Sequence, residues 1–429
     1  MLFAGATSVI AGGAAALQPA VVGGLAAAAV VAWCLSLAPS VLLAVSVHKG
    51  VWNVAPVIEM VGQELPTLVL IGLTGILIVR RQARRLLPRG LIGAGLVTTG
   101  LLIYVGVGAI LGGGLGSTEK FLRLGLFVVW GFLLAWLIGI ERRSTILALA
   151  FTVTGAGVIA LAAVPGWATT GTPTVFGENR ILLGRSVGVG AVIALGAALT
   201  GRLPVTWRAV AGMVGLVLTT VTVASASRGA FVSLGAAGLA MIALPLAGRG
   251  VRYRTIALAV LGVIALVSVA VVSGSVGFDR LLSLANAGDD VTAVMRTQAI
   301  DYSLNQWIGS PIFGIGLRDL ELTVSFAGVT QVLAYPHNML IEVVSQTGVV
   351  GLVLTLAVMA WPVWAVLRDG RLRRDPVVAL LIGVLVFYLV SAQFSGDLQI
   401  NRFVWTFAFL LAAAPAWQGN LKPGPTVTP

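Results

Sequence analysis

Charge is what this chain has least of. Of its 429 residues only 10% are Asp, Glu, Lys or Arg, while 58% are hydrophobic. Soluble domains carry roughly a quarter charged residues, so a water-facing surface of this size is excluded, and with it a soluble enzyme. Cysteine is almost missing: Cys34 stands alone, which excludes an internal disulfide and a thiolate metal cluster. Histidine occurs twice, at His48 and His337, too few for a histidine-built metal centre. Acids are scarce relative to bases, 15 against 27, leaving a net charge of +12. In a soluble protein that excess would suggest nucleic acid. In a membrane protein it reflects the cytoplasmic bias of Lys and Arg, so no nucleic-acid partner is expected.

What is present is a series of long apolar runs. A spanning helix needs about 20 mostly apolar residues. Runs of that kind lie near 20–45, 64–80, 90–112, 121–140, 145–164, 183–200, 206–224, 229–247, 254–273, 346–367, 376–396 and 401–418. The expected architecture is an all-α polytopic membrane protein of about twelve transmembrane helices, one integral domain over residues 1–429. Residues 2–17 are short, rich in Gly and Ala, and lack the basic start of a signal peptide. They read as a lead-in that could form a further span.

Topology follows from where the basic residues fall. With the N-terminus in the cytoplasm, the inside turns hold 17 of the 27 bases and three acids, Glu141, Asp369 and Asp375. The positive-inside rule is then met at every cytoplasmic turn. Between the ninth and tenth spans, residues 274–345 form one long extracytoplasmic loop. Loops of such length in a compact architecture usually carry function. Within it, 289–307 (DDVTAVMRTQAIDYSLNQW) reads as a helix capped by Asp289 and Asp290. Its apolar residues lie on two sides, Val291, Met295 and Tyr302 against Ile300, Leu304 and Trp307, so it should pack on two sides. SPIFGIGLRDL (310–320) reads as a turn punctuated by Pro and Gly. At 335–351 a helix restarts and runs into the tenth span.

Charges that run against the topology are the functional candidates. Arg123, Arg180, Arg185, Arg228, Arg280, Arg296, Arg318 and Arg402 all fall on or near the outer face. Arg228 stands in SASRGAF with almost no loop around it, flanked by Ser225, Ala226, Ser227 and Gly229. Such small neighbours let a ligand approach, and Arg offers a planar fork suited to phosphate. The bland alternative is a snorkelling arginine in a tight turn. Arg296 lies on the two-sided helix, where a solvated position is the competing reading. Arg180 and Arg185 open the sixth span, either paired with Glu178 or forming part of a phosphate patch.

His337 follows Tyr335 and Pro336 and precedes Asn338. With Pro336 as the first helical residue, His337 would sit in the first turn, where the helix dipole favours a neutral imidazole usable as a base. The competing reading is a capping or interfacial histidine. Glu342, four residues after Asn338, could orient either partner. His48 and Cys34 are assigned to packing or interface roles.

SASRGAF (225–231), the Arg296 helix followed by GSPIFGIGLRD (309–319), and YPHNMLIEVVSQTGVVGLV (335–353) together resemble the O-antigen ligase/polymerase superfamily. The resemblance covers roughly residues 205–365, and the span layout extends it. It implies a metal-independent, cofactor-free glycosyltransferase of the GT-C type on the outer face of the cytoplasmic membrane. Its donor would be an undecaprenyl-diphosphate-linked glycan, and its acceptor a hydroxyl on the lipid A core or another envelope glycan. Lipopolysaccharide or a related envelope polysaccharide would be the product. Carried over by position, Arg228 and Arg296 would bind the diphosphate and His337 would activate or orient the acceptor. Arg180, Arg185, Ser227, Asn338 and Arg318 would add substrate contacts. One departure is TVFGENRILLG (174–184), which has Asn179 but not the Pro-Asn that often follows in the family.

The same sequence admits two other readings. A repeat-unit polymerase would use the same donor and share these motifs. A twelve-span secondary transporter would show an internal repeat and mid-membrane acids, and neither is visible in the sequence.

Overall fold

The structure, a computed structural model, describes residues 39–52, 65–82, 87–112, 115–170, 173, 175, 180–199, 203–246, 291–318, 320–326, 329–398 and 401–419. Its helices are α1 (Pro39–Trp52), α2 (Leu65–Gln82), α3 (Arg89–Gly112), α4 (Leu115–Ile138), α5 (Arg142–Ala162), the short α6 (Val164–Thr170), α7 (Arg180–Leu199), α8 (Val205–Ala224) and α9 (Arg228–Leu246). After them come α10 (Val291–Gly309), α11 (Met339–Arg368), α12 (Pro376–Ser391) and α13 (Arg402–Ala413). Six stretches among the described residues are long and apolar enough to cross a membrane, with four shorter apolar helices beside them. The polytopic helical class expected from composition is therefore what the chain adopts. Most of the first expected span, the ninth span, residues 2–17 and the start of the long loop (274–290) lie outside the described residues.

The outer faces of these helices explain the lack of charge. Leu96, Ile103, Ile110 and Leu111 on α3, and Val205, Trp207, Met213 and Val217 on α8, are all largely exposed. A soluble protein does not leave such contiguous apolar faces bare, whereas lipid covers them. Inside the bundle, small residues let helices close up. A side chain on Gly188 of α7 would strike the Phe387 ring of α12, and one on Gly131 of α4 would strike Thr406 of α13. Trp130, Trp405, Phe387, Phe407 and Phe409 fill the core.

Alternation of helix direction gives the bundle two ends. At the first, Arg142 donates to Asp375 at 2.8 Å, Trp417 Nε1 donates to the Gly139 carbonyl, and Gln418 donates to Asp369. Asp375 also caps α12 by accepting from the Val377 amide. Arg89, Arg142, Arg143, Arg368, Arg371, Arg373 and Arg374 gather there, as the cytoplasmic assignment expects. The second end holds the starts of α7, α9 and α11 and the turn 392–398 that leaves α12.

Helix α10 forms where the sequence predicts. One side is buried through Met295, Ala299 and Ser303, and it packs with Leu320, Val324 and Leu333. Beside α10 a small sheet is added to the expected all-α class, which the described residues otherwise keep. Leu322–Phe326 and Val329–Leu333 form an antiparallel hairpin, β1 and β2, with Leu322 opposite Leu333 and Val324 opposite Gln331. Helix α11 is broken at Gly348, whose φ is 65°. The turn after α10 repairs that break. Ile315 and Gly316 amides donate to the Ser345 and Gln346 carbonyls, and Val349 and Val350 amides donate to Pro311 and Ile312. Carbonyls and amides freed by a kink inside a membrane protein need such partners. The Gly-rich SPIFGIG motif therefore has a structural reason: Gly314 and Gly348 meet backbone to backbone, and a Cβ on either would collide with the other segment.

Candidate functional site

A cleft of about 80 Å³ lies at the second end, lined by Arg180, Arg185, Ser227, Arg228, Arg296 and Phe394 among others. Three elements deliver its arginines: α7, α9 and α10. Arg180 and Arg228 are the first residues of their helices, so two N-termini, with their unpaired amides and positive dipole ends, open on the same space. The combination is a ready site for an anion. Its volume is far below the several hundred Å³ of a typical ligand pocket, so it suits one charged end of a larger molecule.

The SASRG turn owes its shape to close packing. Ser225 and Ser227 are buried against Gly184 of α7, and Gly229 lies against Phe394. Ala226 adopts φ 56°, a left-handed conformation that costs a non-glycine residue about 1–2 kcal/mol. His337 does the same at φ 55°. Backbone strain of this sort persists where surrounding structure enforces it, often at functional sites.

Arg185 is buried, and its fork holds the neighbouring turn. Nε donates to Ser391 Oγ, and Nη2 donates to the carbonyls of Ser391 and Ser395, each at 2.6 Å. The same turn is tied to the start of α11. Met339 N donates to the Ala392 carbonyl, Leu340 N to Gln393 Oε1, and Leu398 N to Glu342 Oε2 at 2.8 Å. Glu342 is thus an anchor for residue 398, where the sequence had suggested an orienter of His337 or Asn338.

The position of His337 also differs from expectation. Helix α11 starts at Met339 with Asn338 as its N-cap, the Asn338 side chain accepting from the Ile341 amide at 3.0 Å. His337 therefore precedes the cap, because Asn338 caps better than Pro336 starts a helix. The imidazole is nevertheless kept neutral, by a different cause. Burial first, and the nearby positive charge of Arg296 second, lower its pKa to about 4. Its Nδ1 is buried with no hydrogen-bond partner among the described residues. The Tyr335 ring lies 4.4 Å from the imidazole, centroid to centroid. Burial, then Asp397 and Glu342, push the Tyr335 hydroxyl above its usual range.

Of the residues singled out from sequence, Arg180, Arg185, Ser227, Arg228 and Arg296 line one cleft, and His337 is joined to it electrostatically through Arg296. Asn338 spends its side-chain oxygen on the cap. Arg318 is exposed and reaches Gln306 at 3.4 Å, outside the cleft. Arg123 pairs with Glu119 one helical turn away at 2.8 Å. Arg402 lies between the Phe127 and Phe403 rings. Arg280 falls outside the described residues. His48 Nε2 donates to the Thr152 carbonyl inside the bundle, consistent with a packing role. Sequence reasoning missed Ser391, Phe394 and Ser395, which carry no motif and enter only through the fold.

No three His, Cys, Asp or Glu side chains gather as a metal site among the described residues. No curated protein matches the chain. Residues 213–356 match the family model described as O-Antigen ligase. That segment runs from α8 through the SASRG turn, α10, the hairpin and His337 into α11, so it contains two of the four cleft arginines, Arg228 and Arg296, while Arg180 and Arg185 precede it. The resemblance of this chain to the O-antigen ligase superfamily thus stands, carried by residues 213–356.

Proposed function

We propose that the protein is a glycosyltransferase that moves a glycan from undecaprenyl diphosphate to an acceptor hydroxyl, at the outer face of the cytoplasmic membrane. The observation that supports this most is the convergence of Arg180, Arg228 and Arg296, from three helices, with two helix N-termini on one small cleft. A glycosyl diphosphate has a good leaving group, so its transfer requires charge neutralisation more than acid assistance. Fixed cations in a place of low dielectric supply that without reorganisation.

In the proposed step the acceptor oxygen attacks the anomeric carbon and the carbon–oxygen bond to the diphosphate breaks. The leaving electrons stay on the diphosphate, held by Arg228, Arg296 and Arg180, with Ser227 and the first amides of α9 beside them. Arg185 acts through the 391–395 turn that forms one wall. His337, neutral at physiological pH, accepts the hydroxyl hydrogen bond and then the proton. A pKa near 4 makes the free imidazole a weak base. A bound diphosphate offsets the charge of Arg296, which raises that pKa toward the working pH.

A polymerase uses the same donor and the same step, and differs only in taking a growing lipid-linked chain as acceptor. One experiment tests the activity and sorts these cases: purified protein is given an undecaprenyl-diphosphate glycan with and without a separate acceptor. Transfer to the acceptor marks a ligase, and lengthened lipid-linked chains mark a polymerase. Persistence of either in EDTA is expected, since the arginines carry the charge. Intact donor under all conditions rejects the proposal.

A further inference from the structure

The last residues of α10 and the turn that follows expose three large apolar side chains within six residues. Ile308 is 68% exposed, Ile312 57% and Phe313 67%. Its height in the bundle is fixed by what it touches. Tyr104 Oη, on α3, donates to the Thr347 carbonyl at 2.8 Å and to the Phe313 carbonyl at 3.3 Å. Tyr104 lies eight residues before the end of α3 at Gly112. At 1.5 Å per residue that places the turn roughly 12 Å below the helix end.

Helix α11 gives an independent measure. The turn bonds to Val349 and Val350, and from Val349 to Arg368 the helix runs twenty residues. That is roughly 30 Å, the thickness of the hydrocarbon core. With the arginines of the first end at the inner boundary of the hydrocarbon core, these lengths would put Ile312 and Phe313 at or below its outer boundary. The two helices that the turn touches also carry exposed apolar side chains, Val349 and Val353 on α11 and Ile103, Val107 and Ile110 on α3. Trp307, bonded through Nε1 to the Pro311 carbonyl, stands at the turn as an interfacial aromatic does.

We infer that Ile308–Phe313 is a foot seated in the bilayer, with the outer-leaflet lipids as its occupant. The extracytoplasmic segment is then not wholly aqueous. The foot sets the height of α10 and of Arg296 twelve residues earlier, while the hairpin stays in water. This inference concerns lipid contact and does not depend on the reaction proposed above.

The test is a spin label at position 313 (Phe313→Cys in a Cys34→Ser background), in nanodiscs of phosphatidylethanolamine and phosphatidylglycerol. A second label at exposed Ser325 in β1 serves as the aqueous reference. Collision with oxygen should relax the 313 label more strongly than a water-soluble nickel chelate does, with the order reversed at 325. Stronger relaxation of 313 by the nickel chelate would place the turn in water and overturn the inference. Protection of 313 from both reagents would mean a protein contact and overturn it too. Monodisperse elution of each labelled protein, with melting as for Cys34→Ser alone, checks the fold. If Phe313→Cys fails that check, Ile312→Cys is read by the same criteria.

Discussion

The two ends of the bundle carry the same residue type in opposite states. At the end with Arg89, Arg142 and Arg368–Arg374, arginines are numerous and mostly reach solvent, surface partners or an aromatic face. Arg142 meets Asp375, and Arg368 stacks at 3.8 Å over Trp364. Local amides and Gln418 hold the Asp369 carboxyl below its usual range, outweighing a partial desolvation that acts the other way. At the other end arginines are few, and those of the cleft converge from separate helices beside strained backbone. The first set is what the positive-inside bias expects of a cytoplasmic face. The second has no such explanation, and the proposed binding of a diphosphate would account for it.

The largest effect should come from the sparse end. Arg228→Ala and Arg296→Ala are each expected to lower glycan transfer by about 100- to 1000-fold, the scale of losing one fixed donor to a developing anion. Arg371→Ala and Arg374→Ala should leave the rate within about twofold. Turnover of the purified variants measures the contrast, and equal losses at both ends would erase it.

Next in size is the joint that carries α10. Gly348→Ala places a Cβ against the Ile312 carbonyl at a positive φ. The conformational cost alone is about 1–3 kcal/mol, so the melting temperature should fall and transfer should fall with it. Melting unchanged from wild type would show that the broken helix is not held by this crossing.

A pH profile separates the histidine of the site from an ordinary one. His337 stays neutral down to about pH 4, so kcat/KM should be flat through the usual imidazole range near 6.5. The corresponding limb in kcat should lie higher, since bound diphosphate offsets Arg296. Stability follows the same sign. The unfolded imidazole takes a proton near 6.5 and the native one only near 4, so the native state weakens as pH falls between those values. A kcat/KM limb at 6.5 that disappears in His337→Gln would contradict this account.

The smallest effect belongs to the crowded end. Arg142→Gln breaks the pair with Asp375, and because Arg142 is more than a third exposed the loss should stay under about 1 kcal/mol. Thermal melting checks it.

Much of this was readable in advance because each signal was local. The spans came from apolar runs, and Arg228 and Arg296 stood out by opposing the charge bias. The hairpin was also encoded, in the alternation of LTVSF and VTQVL, but that signal is weak beside long helical runs. Other features required the fold. Arg185 owes its partners to residues 206 and 210 positions away, and nothing near it in sequence points to them. His337 was located to the right segment, but the helix was expected to start three residues early, at Pro336 instead of Met339, since Asn338 and Pro336 both compete to start α11. The glycines of SPIFGIG look like a generic turn until Gly348 is seen against them.

Recognition of a lipid-linked diphosphate by the sparse arginines underlies the proposed activity. Its most direct test is equilibrium binding of an undecaprenyl-diphosphate glycan to wild type and to folded Arg228→Ala/Arg296→Ala protein. The double variant should bind at least about 100-fold more weakly. Equal affinity in a variant that melts like wild type would contradict it.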